Sequence, residues 1–396
     1  MKNPEVAIGR GTNVVETVRR TLGLLGGLGS VIRRGDTVLI SPNYSVPMRS
    51  ETGGTTNPHV VVGVIEAAKE AGAGEIIVAE SSVVGFDAGK VMTELGVKEI
   101  FEEAGAEVLN FDEHENGVVQ KRVPRGKLLK KLKIFRPAAE SDVLISVPVL
   151  KTHIYTRVSL GMKNLKGTLP DSQKKVFHRV GVRKATGENS ELDRCISDMM
   201  TVHHPHFTVI DGIVGQEGFV PGAGICGTPV KMNTIIAGSD FVAVDALGAY
   251  IMGIDPLGVN HIRYSHEMGL GEAHVENMRI LGEHPEGVRR QFRPATPGEV
   301  GKYENITLIE GGSCSGCSFA IRSTLSVFTP VQIENWDKAV FLVGSDLEPL
   351  EEIEGKPFLI GKCAGKLPLR NSFKIPGCPP PLWYVIRELK KANGED

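Results

Sequence analysis

Four cysteines fall in the last quarter of the chain, namely Cys314, Cys317, Cys363 and Cys378. The first two form a C-x-x-C pair within the Gly- and Ser-rich stretch GGSCSGCSFA, and the other two follow singly. Such thiolates can hold an iron–sulfur cluster or zinc, form a disulfide, or act as a redox dithiol. Zinc sites usually contain two C-x-x-C pairs, whereas this segment has one. A redox dithiol would use only Cys314 and Cys317 and would leave the other two cysteines without a role. The spacing therefore favours a four-cysteine cluster, with zinc and a dithiol as alternatives.

The second stretch able to do chemistry is KTHIYTRVSLGMKNLKG, residues 151–167. It leaves an apolar run and at once presents several cationic and polar side chains between glycines. Cations packed at the end of a strand suit a carboxylate or a phosphate. A solvated basic loop is the simpler alternative. We expect Lys151, Asn164 and Lys166 to bind a small anionic substrate.

Polar residues also follow other apolar runs, and they extend the predicted site. The remaining candidates for substrate binding are Asn43, Asp211, Glu217 and Asp245. The candidates for catalysis are His153, His178 and Lys163. Imidazole groups titrate near neutral pH, so the two histidines are expected to deliver protons. The two aspartates are expected to orient these groups or to bind a second metal.

The elements that must position these residues alternate along the chain. Unbroken apolar runs such as DTVLIS, EIIVAE and SDVLISVPVLK predict buried strands, and helix-like segments separate them. This alternation predicts an α/β fold with a mostly parallel, doubly wound sheet. Sites in such sheets lie at the carboxyl ends of the strands. We expect a substrate domain at residues 1–285, a Pro- and Gly-rich linker at 286–303, and a smaller α/β domain at 304–396.

Composition narrows the classes of protein. The 396 residues carry a formal net charge of -2, which argues against binding nucleic acid through bulk electrostatics. The sequence shows no apolar run long enough to cross a bilayer and no apolar core of a signal peptide. We expect a cytoplasmic protein, a setting in which cysteines are more often metal ligands or catalytic groups than disulfides.

The cysteine-containing segment resembles a known iron–sulfur domain. The elements CSGC, GKC and IPGCPPP are similar to the proximal-cluster domain of nickel–iron hydrogenase small subunits. The resemblance implies a flavodoxin-like fold in which the four C-terminal cysteines ligate one [4Fe–4S] cluster. It covers about the last hundred residues and implies no hydrogenase activity.

The larger part of the chain resembles a second family. The motifs PVLKTH, GMKNLKG, TVIDGIVGQEG and IIAGSDFVAVDALGAYIMGIDP occur in order and are similar to the domain of unknown function 362 family, over about residues 36–275. Members often carry a ferredoxin-type cysteine run, and in this chain the hydrogenase-like segment stands in its place. The basic stretch is also distantly similar to part of the nickel-pincer lactate racemase fold.

These patterns lead to one main hypothesis and two alternatives. The main hypothesis is an oxidoreductase that passes electrons from a [4Fe–4S] cluster to the bound anion, with a ferredoxin-like protein as a candidate donor. One alternative is a metal-dependent racemase or isomerase in which His153 and His178 hold nickel. The other is a non-enzymatic electron carrier or cluster-sensing protein.

Overall fold

The computed structural model describes the chain except for residues 1–2, 84–86, 114–116, 154, 181–190, 219–226, 296–302, 314, 326–327, 329, 348–352 and 395–396. The strands are β1 (Glu5–Arg10), β2 (Thr37–Pro42), β3 (Glu75–Glu80), β4 (Glu107–Asn110), β5 (Val118–Arg122), β6 (Lys131–Phe135), β7 (Val143–Val147), β8 (Val149–His153), β9 (Arg157–Ser159), β10 (Phe207–Gly218), β11 (Gly227–Gly238), β12 (Arg279–Gly282), β13 (Ile306–Gly311), β14 (Ala339–Gly344), β15 (Lys356–Ile360) and β16 (Phe373–Ile375).

The helices are α1 (Val14–Leu24), α2 (Pro58–Glu70), α3 (Ala88–Glu94), α4 (Val97–Glu103), α5 (Arg136–Glu140), α6 (Gly161–Asn164), α7 (Asp171–Val180), α8 (Glu191–Met200), α9 (Phe241–Ile251), α10 (Asn260–Glu267), α11 (Pro285–Val288), α12 (Ser315–Leu325), α13 (Pro330–Glu334), α14 (Gly361–Ala364) and α15 (Leu382–Ala392). Short 3-10 turns lie at Ser50–Thr52, Leu165–Thr168, Pro256–Gly258 and Val275–Asn277. Within the described residues, no helix combines the length and the apolar character needed to span a membrane.

A ten-stranded sheet forms the centre of the larger unit. Its main path runs β12–β1–β11–β10–β7–β2–β3–β4, with β8 paired to β10 and β9 paired to β8. The pairs from β10 to β4 are parallel, whereas β11 runs antiparallel to both β10 and β1. The predicted α/β fold with a mostly parallel sheet is therefore confirmed for the described residues.

The apolar runs form strands because both faces of the sheet are covered. In β2, Leu39 packs into one hydrophobic cluster while Val38 and Ile40 pack into the other. Successive side chains of a strand point to opposite faces, so an unbroken apolar run fits a strand between two layers of helices. Helices α1 and α2 contribute to the second cluster, and α8 and α9 contribute to the first.

Two residues divide elements of the large unit. Gly96 separates α3 from α4, with a φ of 65°. Glycine enters this left-handed conformation without steric cost, so it ends one helix and redirects the chain. The apolar run 141–151, predicted as one strand, divides at Pro148, which lacks an amide donor for the ladder.

The smaller unit contains a four-stranded parallel sheet in the order β13–β14–β15–β16. A flavodoxin sheet has the order 2-1-3-4-5, so the flavodoxin-like prediction is wrong in strand order. Each new strand is added on the same side of the preceding one, which leaves β13 at an edge. The predicted parallel α/β character of this unit is confirmed.

Residues 286–295 of the predicted linker pack against the larger unit, whereas Tyr303 packs against the core of the smaller one. Helix α11 lies within it, and the backbone amides of Arg290 and Phe292 donate to the carbonyls of Ile251 and Met252, each at 2.9 Å. The Phe292 ring is fully buried. Apolar side chains among the prolines and charges fix this segment, and its remaining residues, 296–302, lie outside the described part of the chain.

Candidate functional site

Three of the four C-terminal cysteines are described, and all three follow carboxyl ends of strands in the small sheet. Cys317 lies in α12 after β13, Cys363 lies in α14 after β15, and Cys378 follows β16. Because all strands of this sheet are parallel, their carboxyl ends lie along the same edge. Cys314 lies outside the described residues, so the full set of four remains a prediction.

Gly361 shows how closely the cysteine segments approach one another. It has a φ of 82°, and a Cβ at this position would lie 2.7 Å from the Cys317 sulfur and 3.5 Å from the Gly377 carbonyl oxygen. The Lys362 amide donates to that same carbonyl at 2.8 Å. Only glycine leaves room for the sulfur here. The segments carrying Cys363 and Cys378 therefore converge on Cys317, with each thiol within a few residues of the contact.

The lysine-containing site lies at the carboxyl edge of the large sheet. Lys151, on β8, is 4% exposed, and its ammonium donates to Asn43 Oδ1 at 2.7 Å and to the Gly54 carbonyl at 2.9 Å. Asn43 in turn donates through Nδ2 to Asn164 Oδ1 at 3.1 Å. The structure thus brings three predicted substrate-binding residues into one hydrogen-bonded group.

Lys163 is the ammonium with the most altered titration in this group. Loss of hydration, reinforced by the positive charge of Lys151, lowers the pKa of Lys163 to about 7. Burial also lowers the pKa of Lys151, to about 8, against the opposing effect of Glu80. Lysines tuned to neutral pH can exchange protons or bind anions reversibly, which is typical of functional sites. The two amines are close enough for the charge of one to lower the pKa of the other.

Two of the predicted substrate-binding acids hold backbone in place. Asp245, at the first turns of α9, accepts from the amides of Gly161 and Met162 at 2.7 and 2.9 Å, and so fixes the start of α6, which carries Lys163. Asp211 accepts from the amides of Asn57 and Ile213 at 2.7 and 2.9 Å. Burial raises the pKa of Asp211 to about 7 and that of Asp245 to about 6. Their geometry makes both positioning groups.

The other predicted residues make separate contacts. Lys166 packs over the Phe177 ring at 5.5 Å from the centroid, and Glu217 accepts from the Arg293 amide at 3.0 Å. Gln216, beside Glu217, pairs with Lys151 in the strand register. His178 falls in α7, and its side chain lies outside the described residues. Its role as a proton donor or metal ligand remains a prediction.

A contact between the two units passes through the segment after His153. The backbone amide of Tyr155 donates to His153 Nδ1 at 3.1 Å, which leaves the proton of a neutral imidazole on Nε2. The buried Tyr155 hydroxyl lies 3.2 Å from Ser313 Oγ and 3.3 Å from Glu310 Oε1. Ser313 immediately precedes Cys314. Tyr155 thus connects the end of β8, which carries Lys151 and His153, with the end of β13, which precedes the cysteine segments.

Sequence reasoning missed two buried ionisable groups that interact electrostatically, Glu80 and Lys174. Glu80 ends β3 and is 2% exposed, and its Oε2 makes no hydrogen bond within the described part of the chain. Lys174 donates to Ser81 Oγ at 2.7 Å. Burial raises the pKa of Glu80 to about 8, although the Lys174 charge opposes the shift. The signal for Glu80 was an acid at the end of an apolar strand.

The titration of Glu80 gives a testable pH dependence. A carboxyl group with a raised pKa in the folded state takes up a proton on folding, so its stabilising effect is lost as pH rises from about 4.5 toward 8. Glu80→Gln removes this loss. In urea titrations, we expect the variant to gain stability relative to wild type between pH 5 and pH 8, so that the difference in the free energy of unfolding, variant minus wild type, is more positive at pH 8. The exposed Glu103→Gln is the control, and a difference that does not change with pH would contradict the assignment.

The fold and the site define an α/β protein with two sheets. Cationic side chains lie at the strand ends of the large mixed sheet, and cysteines lie at the strand ends of the small parallel sheet. The model of the domain of unknown function (DUF362) family matches residues 38–250, more than half of the chain. The chain therefore belongs to the DUF362 family.

Individual proteins are similar to the chain at lower levels. A thylakoid-associated protein of Synechocystis sp. is 25% identical over 264 residues, which cover 67% of this chain and 78% of that protein. The lactate racemase apoprotein of Thermoanaerobacterium thermosaccharolyticum is similar in structure, with a TM-score of 0.41 and 14% identity over 86% of this chain and 69% of the racemase. A crystal structure from Thermotoga maritima also has a TM-score of 0.41, with 11% identity over 84% of this chain and 71% of that one.

Proposed function

We propose that the protein is an iron–sulfur oxidoreductase in which Cys314, Cys317, Cys363 and Cys378 hold one [4Fe–4S] cluster. The observation that carries the proposal is the convergence of three cysteine segments at Gly361, where a side chain would collide with the Cys317 sulfur. Soft thiolate ligands supplied by loops with close backbone approach fit an iron–sulfur cluster. When bound, such a cluster supplies one-electron transfer.

The residues of the larger unit hold the substrate under this proposal. Lys151 and Lys163 bind a carboxylate or phosphate group, because two partly dehydrated ammonium groups attract an anion strongly. Asn43 and Asn164 orient it by hydrogen bonds, and Asp245 holds α6 in register. Lys163 carries a proton that it can release near neutral pH, so it is the favoured proton donor to the reduced substrate.

The contact through Tyr155 supports transfer between the two sites. The Tyr155 hydroxyl lies against Ser313, next to a proposed cluster ligand, and its backbone contacts His153, two residues from Lys151. Burial raises the pKa of Tyr155 beyond the physiological range, so this hydroxyl stays protonated and keeps its hydrogen-bonding role. It is a positioning residue that fixes the distance between the cysteine segments and the anion site.

The experiment that tests this function uses the anaerobic, reduced protein. Small carboxylates and phosphate esters are screened for reoxidation of the cluster, followed by the recovery of its visible absorbance. We expect one chemical class to reoxidise the wild type and the Lys163→Met variant to lose this activity. Lys131→Met, at an exposed position on β6, is the matched control.

Two results would contradict the proposal in different ways. A protein that contains the cluster but is reoxidised equally fast in wild type and in Lys163→Met would support an electron carrier. A protein that binds no iron and sulfide after anaerobic preparation would remove the redox function altogether.

A further inference from the structure

A separate group of metal-ligand residues lies between α10 and β12. His266, Glu272 and His274 each offer a ligand atom, and these three atoms lie within 4.8 Å of one another. Glu272 Oε1 is 2.8 Å from His274 Nδ1 and 3.5 Å from His266 Nδ1. We propose that these three side chains bind one divalent first-row transition metal ion, with zinc as the test ion.

The distances fit a tetrahedral ion. With metal–ligand bonds of about 2.0–2.1 Å, the ligand atoms of a tetrahedral site lie about 3.3 Å apart. The 3.5 Å between His266 Nδ1 and Glu272 Oε1 falls near this value, whereas the 2.8 Å between His274 Nδ1 and Glu272 Oε1 is a hydrogen bond that an ion would replace by a slightly wider separation. Two imidazole nitrogens and one carboxylate oxygen are a donor set that zinc, nickel and copper accept, and that magnesium and calcium do not favour.

The Gly271 carbonyl offers a fourth candidate ligand. It lies 2.9 Å from His266 Nδ1, and the Ala273 amide lies 3.2 Å from the same nitrogen. This nitrogen has one lone pair, so a metal ion that binds it takes the place of the Ala273 amide. The Gly271 carbonyl oxygen is then close enough to the ion to complete its coordination.

Outer contacts hold the ligand residues in position. Asn277 donates to the second oxygen of Glu272 at 3.1 Å, which orients the carboxylate toward the histidines. The Glu272 amide donates to Asp240 at 3.1 Å, and Asp240 also caps the start of α9. Such outer-shell partners fix ligand geometry in metal sites. The three ligand side chains remain between 22% and 36% exposed, so an ion can reach them.

This site is distinct from the lysine-containing site. Asp240 follows β11, and the end of β11 pairs with the start of β10, where Gly238 lies opposite Thr208. Lys151 pairs near the other end of β10, opposite Gln216. Eight residues of strand separate the two positions, which corresponds to about 25 Å. The metal proposed here is therefore independent of the anion site and of the iron–sulfur proposal.

The test uses anaerobically purified, chelator-washed protein and zinc chloride alone. We expect titration calorimetry to give one zinc per chain, with a zinc X-ray absorption spectrum that shows nitrogen and oxygen neighbours and imidazole scattering. His274→Ala should weaken binding by at least about 100-fold, because loss of a direct ligand exceeds the 10- to 100-fold cost of losing an outer-shell partner. His59→Ala, at an exposed position on α2, should bind as wild type does.

A second variant keeps the test decisive if His274→Ala folds poorly. Glu272→Gln preserves the shape of the side chain and should also lose zinc affinity, together with the rise in melting temperature that zinc produces in the wild type. Absence of stoichiometric binding, a sulfur neighbour in the spectrum, or unchanged affinity in a folded variant of either residue would overturn the proposal.

Discussion

Replacing Cys363 with Ser is expected to reduce the iron and sulfide bound by the anaerobically prepared protein to a small fraction of the wild-type content. Cys363 lies two residues from Gly361, where the cysteine segments meet, and a hydroxyl group is a poor ligand for iron–sulfur clusters. Iron and sulfide analysis together with the visible spectrum measures the loss.

Cys195 provides the matched control for this substitution. It is fully buried in α8, and burial raises the pKa of its thiol to about 12, so it is a packed, protonated side chain. Cys195→Ala should keep the full iron and sulfide content and lose only some stability. Equal cluster content in wild type, Cys363→Ser and Cys195→Ala would remove Cys363 from the ligand set.

The second large effect concerns the reactivity of Lys163 toward amine-modifying reagents. With a pKa of about 7, half of this amine is neutral at pH 7, whereas an ordinary lysine with a pKa of about 10.4 has a neutral fraction about 1000-fold smaller. Only the neutral amine is nucleophilic. We therefore expect brief labelling with acetic anhydride at pH 7, read by peptide mass spectrometry, to modify Lys163 before exposed lysines.

The pH dependence of Lys163 labelling, in the wild type and in one variant, tests the cause of the lowered pKa. Labelling of Lys163 should rise with a midpoint near pH 7, because its cationic form is lost at lower pH than in other lysines. Lys151→Met removes the neighbouring positive charge, so the midpoint should move upward. A bound anion should also raise it and protect the amine. A midpoint above pH 9 in the wild type would contradict the account of this site.

Much of the fold followed from local patterns. Strands β2, β3 and β4 alternate along the chain with α2 and with the α3–α4 pair. The apolar runs of β2 and β3 place side chains in the hydrophobic clusters on both faces of the sheet. Asp240 begins α9 as its N-cap, accepting from the Val242 and Ala243 amides, as an aspartate before an apolar helix commonly does. The breaks at Gly96 and Pro148 depended on local backbone conformation that periodicity does not report.

The candidate site was less accessible to sequence reasoning. Lys151, Asn164 and Asn43 were recognised because each follows a strand, and the structure joins them by hydrogen bonds. Glu80, whose charge acts on Lys151, was missed, because the raised pKa of its carboxyl group arises from burial among residues distant in sequence. Tyr155 was missed for a similar reason. Its contact with Ser313 joins residues 158 positions apart, and no local pattern encodes it.

The most direct test of the central claim is the metal and sulfide content of the protein, purified without oxygen and examined by Mössbauer spectroscopy after growth on iron-57. The account predicts about four iron and four sulfide per chain in a single cluster with thiolate ligands. One tightly bound zinc per chain at the same cysteines, or the absence of both iron and sulfide, would contradict it.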